Sequence, residues 1–269
     1  MTVPVSPDPR PAAPGGPARF NVLGVGVSAL SLARAGELVL AARGQLRLGY
    51  VCLCTTHGLG EARRDPVLRA IFNRSYLTTP DGMPLVWFGR RQGRREITRV
   101  YGPDLLLAVC DAGRATGLRH YFYGGQPGVA GLLREKLVAR FPGLQVVGTF
   151  TPPFRPLTDP EFAGLRDEIA ARRPDVVWVG LSTPKQEHFM AGAWEKLDAG
   201  LLIGVGAAFD FHSGRIAQAP RWMQSSGLEW LFRLGTEPRR LAKRYLVYNT
   251  LFLLRALTQL TGLRKYPMD

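Results

Sequence analysis

The sequence predicts an α/β protein with a Rossmann-like parallel sheet, helices on both faces, and a basic helical C-terminal appendage. Two observations support this fold class. From Phe20 onward, short apolar runs of strand length alternate with stretches of helical length, a pattern typical of a parallel sheet covered by helices. After Gly204 the alternation stops, and Arg239–Leu260 is predicted as one helix because its apolar residues recur every three or four positions.

The predicted elements follow each other in regular order along the chain. The strand candidates, which are the short apolar runs, are Asn21–Val25, Tyr50–Cys54, His120–Tyr123, Leu144–Thr149, Asp175–Leu181 and Leu201–Val205. The helix candidates between them are Ala29–Ala42, Pro66–Asn73, Asp104–Gly117, Pro127–Phe141, Asp159–Arg173 and Lys185–Leu197. Ligands of parallel sheets bind at the carboxyl ends of the strands, so the loops after the strands are where a site is expected.

Composition indicates one α/β domain with additional terminal segments. The chain has 269 residues, 46% of them hydrophobic, which is enough for a sizeable core. We predict a disordered tail over residues 1–19, a core over residues 20–214 and a C-terminal segment over residues 215–269. The tail is rich in Pro, Ala and Gly, and it lacks the basic start and apolar stretch of a signal peptide.

The three cysteines indicate a reducing compartment. Cys52 and Cys54 alternate within a predicted strand, so they point to opposite faces and form a poor metal-binding pair. Together with Cys110 we interpret them as reduced core thiols, and we expect the protein to be cytosolic or to face the cytosol.

The charge of the chain is concentrated near its C-terminus. The net charge is +14, and residues 215–269 contribute +7 of it through ten Lys or Arg residues against three acids. Nucleic acid, anionic lipid and a phosphorylated substrate all fit this charge. The predicted helix over residues 239–260 is interrupted by too many polar residues to span a membrane. It is therefore expected either to lie on a membrane surface or to dock on the domain.

Two strand-to-helix loops are candidates for binding an anion. Gly124 and Gly125 follow one strand, and glycines in such a turn let backbone amides approach a phosphate at a helix N-terminus. A tight turn without a ligand explains the same glycines equally well. Lys185, Gln186 and Glu187 open a helix after another strand, where they are either binding residues or surface residues.

Other candidate residues lie in separate loops. Asp81 precedes a glycine and is either a functional acid or a turn residue that bonds its own backbone. Arg99 and Asp210 are likewise either site residues or structural charges. His57 lies in the predicted loop Cys54-Thr55-Thr56-His57-Gly58 after the second strand. The spacing of the histidines in the sequence is not that of metal ligands.

Taken together, these loops resemble the WecG/TagA/CpsF family of glycosyltransferases from about Phe20 to Tyr245. No single motif decides the resemblance, but their joint occurrence in consistent order is specific. The matching segments are Pro80-Asp81-Gly82, Arg99-Val100-Tyr101-Gly102-Pro103-Asp104, Tyr123-Gly124-Gly125-Gln126-Pro127-Gly128, Phe141-Pro142-Gly143, Pro184-Lys185-Gln186-Glu187, Gly204-Val205-Gly206-Ala207-Ala208-Phe209-Asp210-Phe211, Ala219-Pro220-Arg221-Trp222, Gly227-Leu228-Glu229-Trp230-Leu231-Phe232-Arg233-Leu234, Glu237-Pro238-Arg239-Arg240-Leu241 and Arg244-Tyr245.

The resemblance implies an inverting glycosyltransferase that needs neither metal nor cofactor. The implied donor is a nucleotide sugar, with UDP expected, and the implied acceptor is a polyprenyl-diphosphate-linked glycan precursor of exopolysaccharide or a related envelope glycan. No Asp lies two positions from another Asp, so the sequence offers no acidic pair that could hold a divalent cation on the diphosphate. Arginine, lysine and amide groups must therefore neutralise the departing diphosphate. The resemblance also implies a peripheral location on the inner face of the plasma membrane, with the basic C-terminal segment closing over the active site. A homo-oligomer is left open.

The resemblance carries roles onto individual positions. Asp81 takes the place of the family's proposed catalytic base and Arg99 that of its diphosphate-contacting arginine, while Gln186 matches an active-site glutamine. We assign to the donor site the residues Gly124, Gly125, Lys185, Gln186, Glu187 and Asp210. The C-terminal basic set consists of Arg221, Arg233, Arg240 and Arg244. Many members carry Thr-x-Asn after the second strand, where this chain has Thr56 and His57 in a different context. We therefore expect His57 to take that polar role in an exopolysaccharide-type branch, with Thr56 beside it in the acceptor loop.

Two other functions explain part of the pattern. A Rossmann protein with a redox cofactor explains the alternation, but the dinucleotide fingerprint G-x-G-x-x-G with a following acid is missing. A nucleic-acid-binding protein explains the charge, but no motif for it is present and no nucleic acid is expected as a partner.

Overall fold

The protein is described here by a computed structural model of residues 16–268, apart from the side chains of Arg240, Lys243 and Arg244. Most of the predicted tail, residues 1–15, therefore lies outside the described residues. The chain forms two compact units. Unit 1 contains Ala33–Cys52 and Gly102–Ile216, and unit 2 contains residues 16–32, Leu53–Tyr101 and residues 217–268.

A six-stranded parallel sheet flanked by helices confirms the predicted fold class. The strands are β1 (Arg19–Val22), β2 (Val25–Ser28), β3 (Gly49–Cys54), β4 (Leu77–Pro80), β5 (Arg119–Gly124), β6 (Gln145–Phe150), β7 (Val176–Gly180) and β8 (Leu201–Gly204). The strand order in the sheet is β4-β3-β8-β7-β5-β6, and β1 and β2 form a separate antiparallel hairpin.

The helices connect these strands and make up most of the C-terminal region. They are α1 (Leu32–Leu40), α2 (Thr56–Ala62), α3 (Pro66–Arg74), α4 (Met83–Arg91), α5 (Gly102–Gly113), α6 (Val129–Arg140), α7 (Asp159–Arg172), α8 (Lys185–Ala193), α9 (Ala208–His212), α10 (Arg221–Ser225), α11 (Glu229–Thr236) and α12 (Pro238–Leu260). The start of α7 shows how local sequence sets a boundary, since Thr158 and Glu161 form a reciprocal capping box there.

Unit 1 is built on parallel strands whose apolar residues fill the core. Strand β5 pairs with β6 and β7, and β7 pairs with β8, all in parallel. Trp178, Tyr121 and Phe122 are fully buried between the sheet and its helices. The indole nitrogen of Trp178 donates to Nδ1 of His120 at 3.0 Å, which pairs these two nitrogen atoms inside the core.

The strand ends of unit 1 approach each other closely at glycines. A Cβ atom on Gly124 would lie 2.7 Å from the main-chain oxygen of Gly180, and one on Gly180 would lie 2.6 Å from the ring of Phe209. Gly124 also has φ 123°, which disfavours any residue with a side chain. Both glycines are therefore required by packing at the carboxyl edge of the sheet.

Unit 2 contains the β1–β2 hairpin, helices α2, α3 and α4, and the C-terminal helices. Helix α12 lies along α2 and α11, and it buries Leu241, Phe252 and Ala256. The C-terminal segment is thus packed into this unit, and a separate appendage is not confirmed. Of the two positions expected for this helix, the docked one is observed, while Leu253 and Leu257 on its other side remain exposed.

Several elements of unit 2 differ from the sequence prediction. The single strand predicted over Asn21–Val25 is wrong, because the chain turns at Leu23 and Gly24, which have φ 55° and 90°. The sequence pattern does not predict helices α2 and α4 or strand β4, which the structure contains. Among residues 16–268, no helix is long and apolar enough to cross a membrane.

Candidate active site

Asp81 lies directly after strand β4, at the start of helix α4. Its amide donates to the main-chain oxygen of Cys54 at 3.0 Å, which fixes the loop against the end of β3. Gly82 is the N-cap of α4, and Pro84 lies in the first turn, a position that proline favours. The Asp81 side chain is 16% exposed, and its Oδ1 atom is buried, so the carboxylate is largely enclosed.

Arg99 lies beside Asp81 and is held by several contacts within unit 2. Its Nε atom donates to the main-chain oxygen of Asp81 at 3.1 Å, and its terminal nitrogen lies 4.0 Å from the Asp81 carboxylate. The guanidinium also lies 3.9 Å above the ring centroid of Tyr101, a cation–π contact. Burial alone would lower the pKa of Arg99, but the carboxylates of Asp81 and Glu229 outweigh it and raise that pKa. Arg99 is therefore a permanent cation next to Asp81.

Glu229 and Tyr101 complete this cluster, and sequence reasoning did not select either. Glu229 accepts hydrogen bonds from Arg99 at 2.5 Å and from the Tyr101 hydroxyl at 2.7 Å. Burial and the Glu229 carboxylate raise the pKa of Tyr101, so the phenol keeps its proton and donates it. Both residues lie inside motifs that carry the family resemblance, and this position is the feature of the sequence that could have identified them as site residues.

The candidate donor residues lie in unit 1, and some of them have structural partners. Oε1 of the buried Gln186 accepts from the amide of Gly206 at 3.1 Å, and its Nε2 donates to Glu187 at 3.0 Å. Glu187 is fully buried and also accepts from the Thr183 hydroxyl at 3.0 Å. Lys185, by contrast, is exposed at the first position of α8. The Gln186–Glu187 pair thus fixes the turn after β8.

An open pocket of about 430 Å³ lies at the N-terminus of α6 in unit 1. Its lining comes from the glycine loop after β5, the first turns of α6 and one cation, and comprises Gln126, Pro127, Gly128, Val129, Leu132 and Arg215. The first amides of a helix have no intrahelical partner, so they and Arg215 favour an anion here. Asp210, a predicted donor residue, lies on α9, and its main-chain oxygen accepts from the amide of Arg215 at 3.0 Å.

Comparison with known proteins identifies the family. Residues 20–266 match the family described as "Glycosyl transferase WecG/TagA/CpsF family". The chain belongs to this family. It is therefore a glycosyltransferase, in agreement with the resemblance and not with the redox or nucleic-acid alternatives.

One curated relative of this glycosyltransferase is an enzyme of Bacillus spizizenii (strain ATCC 23059 / NRRL B-14472 / W23). It is named N-acetylglucosaminyldiphosphoundecaprenol N-acetyl-beta-D-mannosaminyltransferase. The two sequences are 29% identical over 180 residues, which cover 67% of this chain and 68% of the relative.

Thr56 and His57 of the glycosyltransferase lie in helix α2, so the prediction that they lie in a loop is wrong. The hydroxyl of Thr55 accepts from the amide of Gly58 at 3.2 Å and caps the helix one residue earlier. Thr56 bonds Asn249 at 2.8 Å, and the His57 ring lies edge-on to the ring of Tyr248 at 4.7 Å. These contacts hold α2 against α12, and a role toward the acceptor stays a prediction.

The C-terminal basic set of this glycosyltransferase is described only in part. Arg221 is exposed at the start of α10, and Arg233 on α11 lies 3.6 Å from Glu237. The side chains of Arg240 and Arg244 lie outside the described residues, although both positions belong to α12. Within residues 16–268, no three His, Cys, Asp or Glu side chains are grouped so that they could bind a metal ion.

Proposed function

We propose that this glycosyltransferase moves a sugar from a nucleotide-diphosphate donor, with UDP as the expected nucleotide, to a polyprenyl-diphosphate-linked acceptor. The relative's name supports the acceptor class, because it specifies an N-acetylglucosaminyldiphosphoundecaprenol acceptor. The product would enter exopolysaccharide or another cell-envelope glycan. The observation that carries the chemistry is the largely buried Asp81 carboxylate held 4.0 Å from the Arg99 guanidinium.

Asp81 is the general base of the proposed reaction. An acceptor hydroxyl attacks the anomeric carbon, its proton passes to the Asp81 carboxylate, and the bond between that carbon and the diphosphate oxygen breaks. Attack on the face opposite the leaving group inverts the configuration, and the nucleoside diphosphate departs with the electron pair. A single carboxylate is sufficient, since no covalent sugar–enzyme intermediate is formed.

Arg99 supports this step in two ways. Its hydrogen bond to the Asp81 main chain fixes the loop that carries the base. Its permanent charge favours the negative charge that develops on the departing diphosphate, because a preorganised cation needs no reorganisation during the reaction. An arginine also presents paired donors that match a phosphate.

The pocket at the N-terminus of α6 supports the binding of an anionic group within unit 1. Arg215 lines this pocket, and the amides of the first turn of α6 add a partial positive charge. Lys185 supplies a further exposed cation at the start of α8. The packing required at Gly124 and the hydrogen bonds of Gln186 suggest that these residues shape the donor loops and do not contact the phosphates themselves.

The exposed side of α12 supports a peripheral location on the inner face of the plasma membrane. Leu246, Leu253, Leu257 and Leu260 recur on this side at helical spacing, and each is at least 43% exposed. Basic residues lie in the first turns of the helix, beginning with Arg239, and Arg264 and Lys265 follow its end. An apolar stripe with flanking cations is the pattern of a helix that lies in the interface of an anionic membrane.

A transfer assay tests the proposed function. The purified protein is incubated with individual nucleotide sugars and a short-chain lipid-diphosphate-linked N-acetylglucosamine, and UDP-N-acetylmannosamine is tested first because of the relative's name. We expect a disaccharide-lipid product in which the anomeric configuration is inverted, detected by mass spectrometry and NMR. Absence of transfer from every nucleotide sugar, with bound donor detected calorimetrically, would overturn the proposal.

A further inference from the structure

We propose that Glu229 is a positioning residue of this glycosyltransferase, which holds Arg99 and Tyr101 in place beside the base. The inference rests on the proposed role of Asp81. Glu229 comes from the C-terminal region of the chain and affects the reaction only by holding Arg99.

The two carboxylate oxygens of Glu229 serve two different donors. Oε2 accepts from the guanidinium of Arg99 at 2.5 Å, and Oε1 accepts from the hydroxyl of Tyr101 at 2.7 Å. The guanidinium also stacks on the Tyr101 ring, so the three side chains form a closed triangle of contacts. Glu229 is only 13% exposed, and charged hydrogen bonds at such burial are strong.

Glu229 determines which carboxylate Arg99 pairs with. The same guanidinium nitrogen lies 2.5 Å from Glu229 and 4.0 Å from Asp81. If Glu229 were absent, the Coulomb attraction would draw the guanidinium into direct contact with Asp81. That contact would engage the carboxylate that must receive the acceptor proton. Glu229 therefore keeps the arginine close to the base without blocking it.

The fold of unit 2 places Glu229 for this task. Helix α11 begins at Glu229, shortly after Gly227, which has φ 76°. A Cβ atom on Gly227 would lie 2.9 Å from the ring of Trp87, so this turn packs tightly on α4. Arg99 also donates to the main-chain oxygen of Gln224 at 3.4 Å, near the end of α10. The start of α11 is thus fixed relative to the loop that carries Arg99.

Substitution of Glu229 tests the inference through a split between kcat and KM. We expect Glu229→Ala to lower kcat about 10²-fold, the effect typical of a displaced catalytic group, with KM for donor and acceptor within about threefold of wild type. Glu229→Gln keeps the size of the side chain but offers an oxygen to only one of the two donors, so it should fall between alanine and wild type. Tyr101→Phe removes one hydrogen bond and should lower kcat about tenfold.

Chemical rescue separates positioning from a merely structural role. Glu229→Ala leaves a cavity next to Arg99 and Tyr101, and added formate or acetate should fill it and restore kcat at least tenfold. Chloride at the same ionic strength should not, and Glu229→Gln should not respond because its side chain fills the space. Glu161→Ala is the matched control, because it removes a glutamate that binds Arg155 through two hydrogen bonds in unit 1. It should keep wild-type kinetics.

Each outcome decides between the alternatives. If Glu229→Ala and Glu229→Gln both keep more than half of the wild-type kcat, the inference is wrong. It is also wrong if kcat is lost, formate has no effect and the melting temperature falls, because Glu229 is then only structural. A wild-type protein without any transfer activity would instead overturn the proposed function. An active wild type with unaffected Glu229 variants would overturn this inference alone.

Discussion

The Nε atom of Arg99 donates to the main-chain oxygen of Asp81 at 3.1 Å, so the cation is bonded to the backbone of the residue it faces. A contact to the backbone survives substitution of the Asp81 side chain. The role of the carboxylate can therefore be tested without displacing the arginine.

Asp81→Asn should abolish transfer while the fold is kept, because the amide has nearly the same size but cannot accept the acceptor proton. Loss of a general base costs about 10²- to 10⁴-fold, so we expect at least a hundredfold fall in kcat. Steady-state kinetics and thermal melting are measured together. Asp111→Asn, which alters an exposed acid in unit 1, is the matched control. An Asp81→Asn protein with normal melting and a tenth or more of wild-type turnover would exclude Asp81 as the base.

Activity should survive EDTA, because the sequence offers no aspartate pair for a cation on the diphosphate and Arg99 supplies fixed positive charge instead. Initial rates are compared before and after dialysis against chelator, with added magnesium or manganese as a further arm. A rate that collapses on chelation and returns with metal would mean that a cation takes part.

The parallel strands of unit 1 could be predicted because each is a continuous apolar run between glycines or turns. Helix α2 could not, since Gly58 and Gly60 disfavour a helix in isolation. The structure shows why both positions are glycine. A Cβ atom on Gly58 would lie 3.2 Å from the ring of Phe72, and one on Gly60 would lie 2.1 Å from the ring of Tyr248. Tertiary packing thus overrides local propensity, and for the same reason the sequence around His57 favours a loop.

The candidate site was predictable where its residues lie close in sequence. Asp81 and Arg99 are separated by 18 positions and were both selected from adjacent loops. Glu229 lies 130 positions from Arg99, and an acid in the first turn of a helix is explained locally by the helix dipole. Only the three-dimensional contact distinguishes it from an ordinary helix-starting glutamate.

His120 should make the stability of the protein depend on pH. Burial lowers the pKa of His120 to about 4, from an ordinary value of 6.5. The folded state therefore holds this histidine neutral, whereas the unfolded chain binds a proton below about pH 6.5. Its contribution to stability is present above the unfolded pKa and is lost as the pH falls toward 4.

We expect His120 to account for a loss of about 2 kcal/mol in the free energy of unfolding between about pH 7 and pH 5. Urea denaturation at both pH values measures it. His120→Asn keeps an acceptor for the Trp178 indole but does not titrate. The free energy of unfolding of this variant should therefore fall by about 2 kcal/mol less than that of the wild type between the two pH values. His188→Asn, an exposed histidine, should behave as wild type. Equal losses in wild type and His120→Asn would contradict the prediction.

The basic start of α12 should bind anionic membranes. Each basic residue near such a surface contributes about 1 kcal/mol, so neutralising Arg239, Arg240, Lys243 and Arg244 to Gln should remove about 4 kcal/mol of binding. Cosedimentation with phosphatidylserine vesicles should show this loss, and high salt should mimic it in the wild type. The matched control neutralises four exposed arginines of unit 1, namely Arg43, Arg134, Arg140 and Arg166.

Two acceptors separate localisation from catalysis in this variant. Deletion of α12 is unsuitable, because Leu241 and Phe252 of this helix are buried in unit 2. If the neutralised protein works on a soluble acceptor but fails on a vesicle-bound one, these residues only localise the enzyme. If it fails on both, at least one of them belongs to the donor site, since loss of a diphosphate-binding cation slows transfer wherever the acceptor is. Normal binding and transfer on vesicles would exclude both roles and leave α12 as a structural helix.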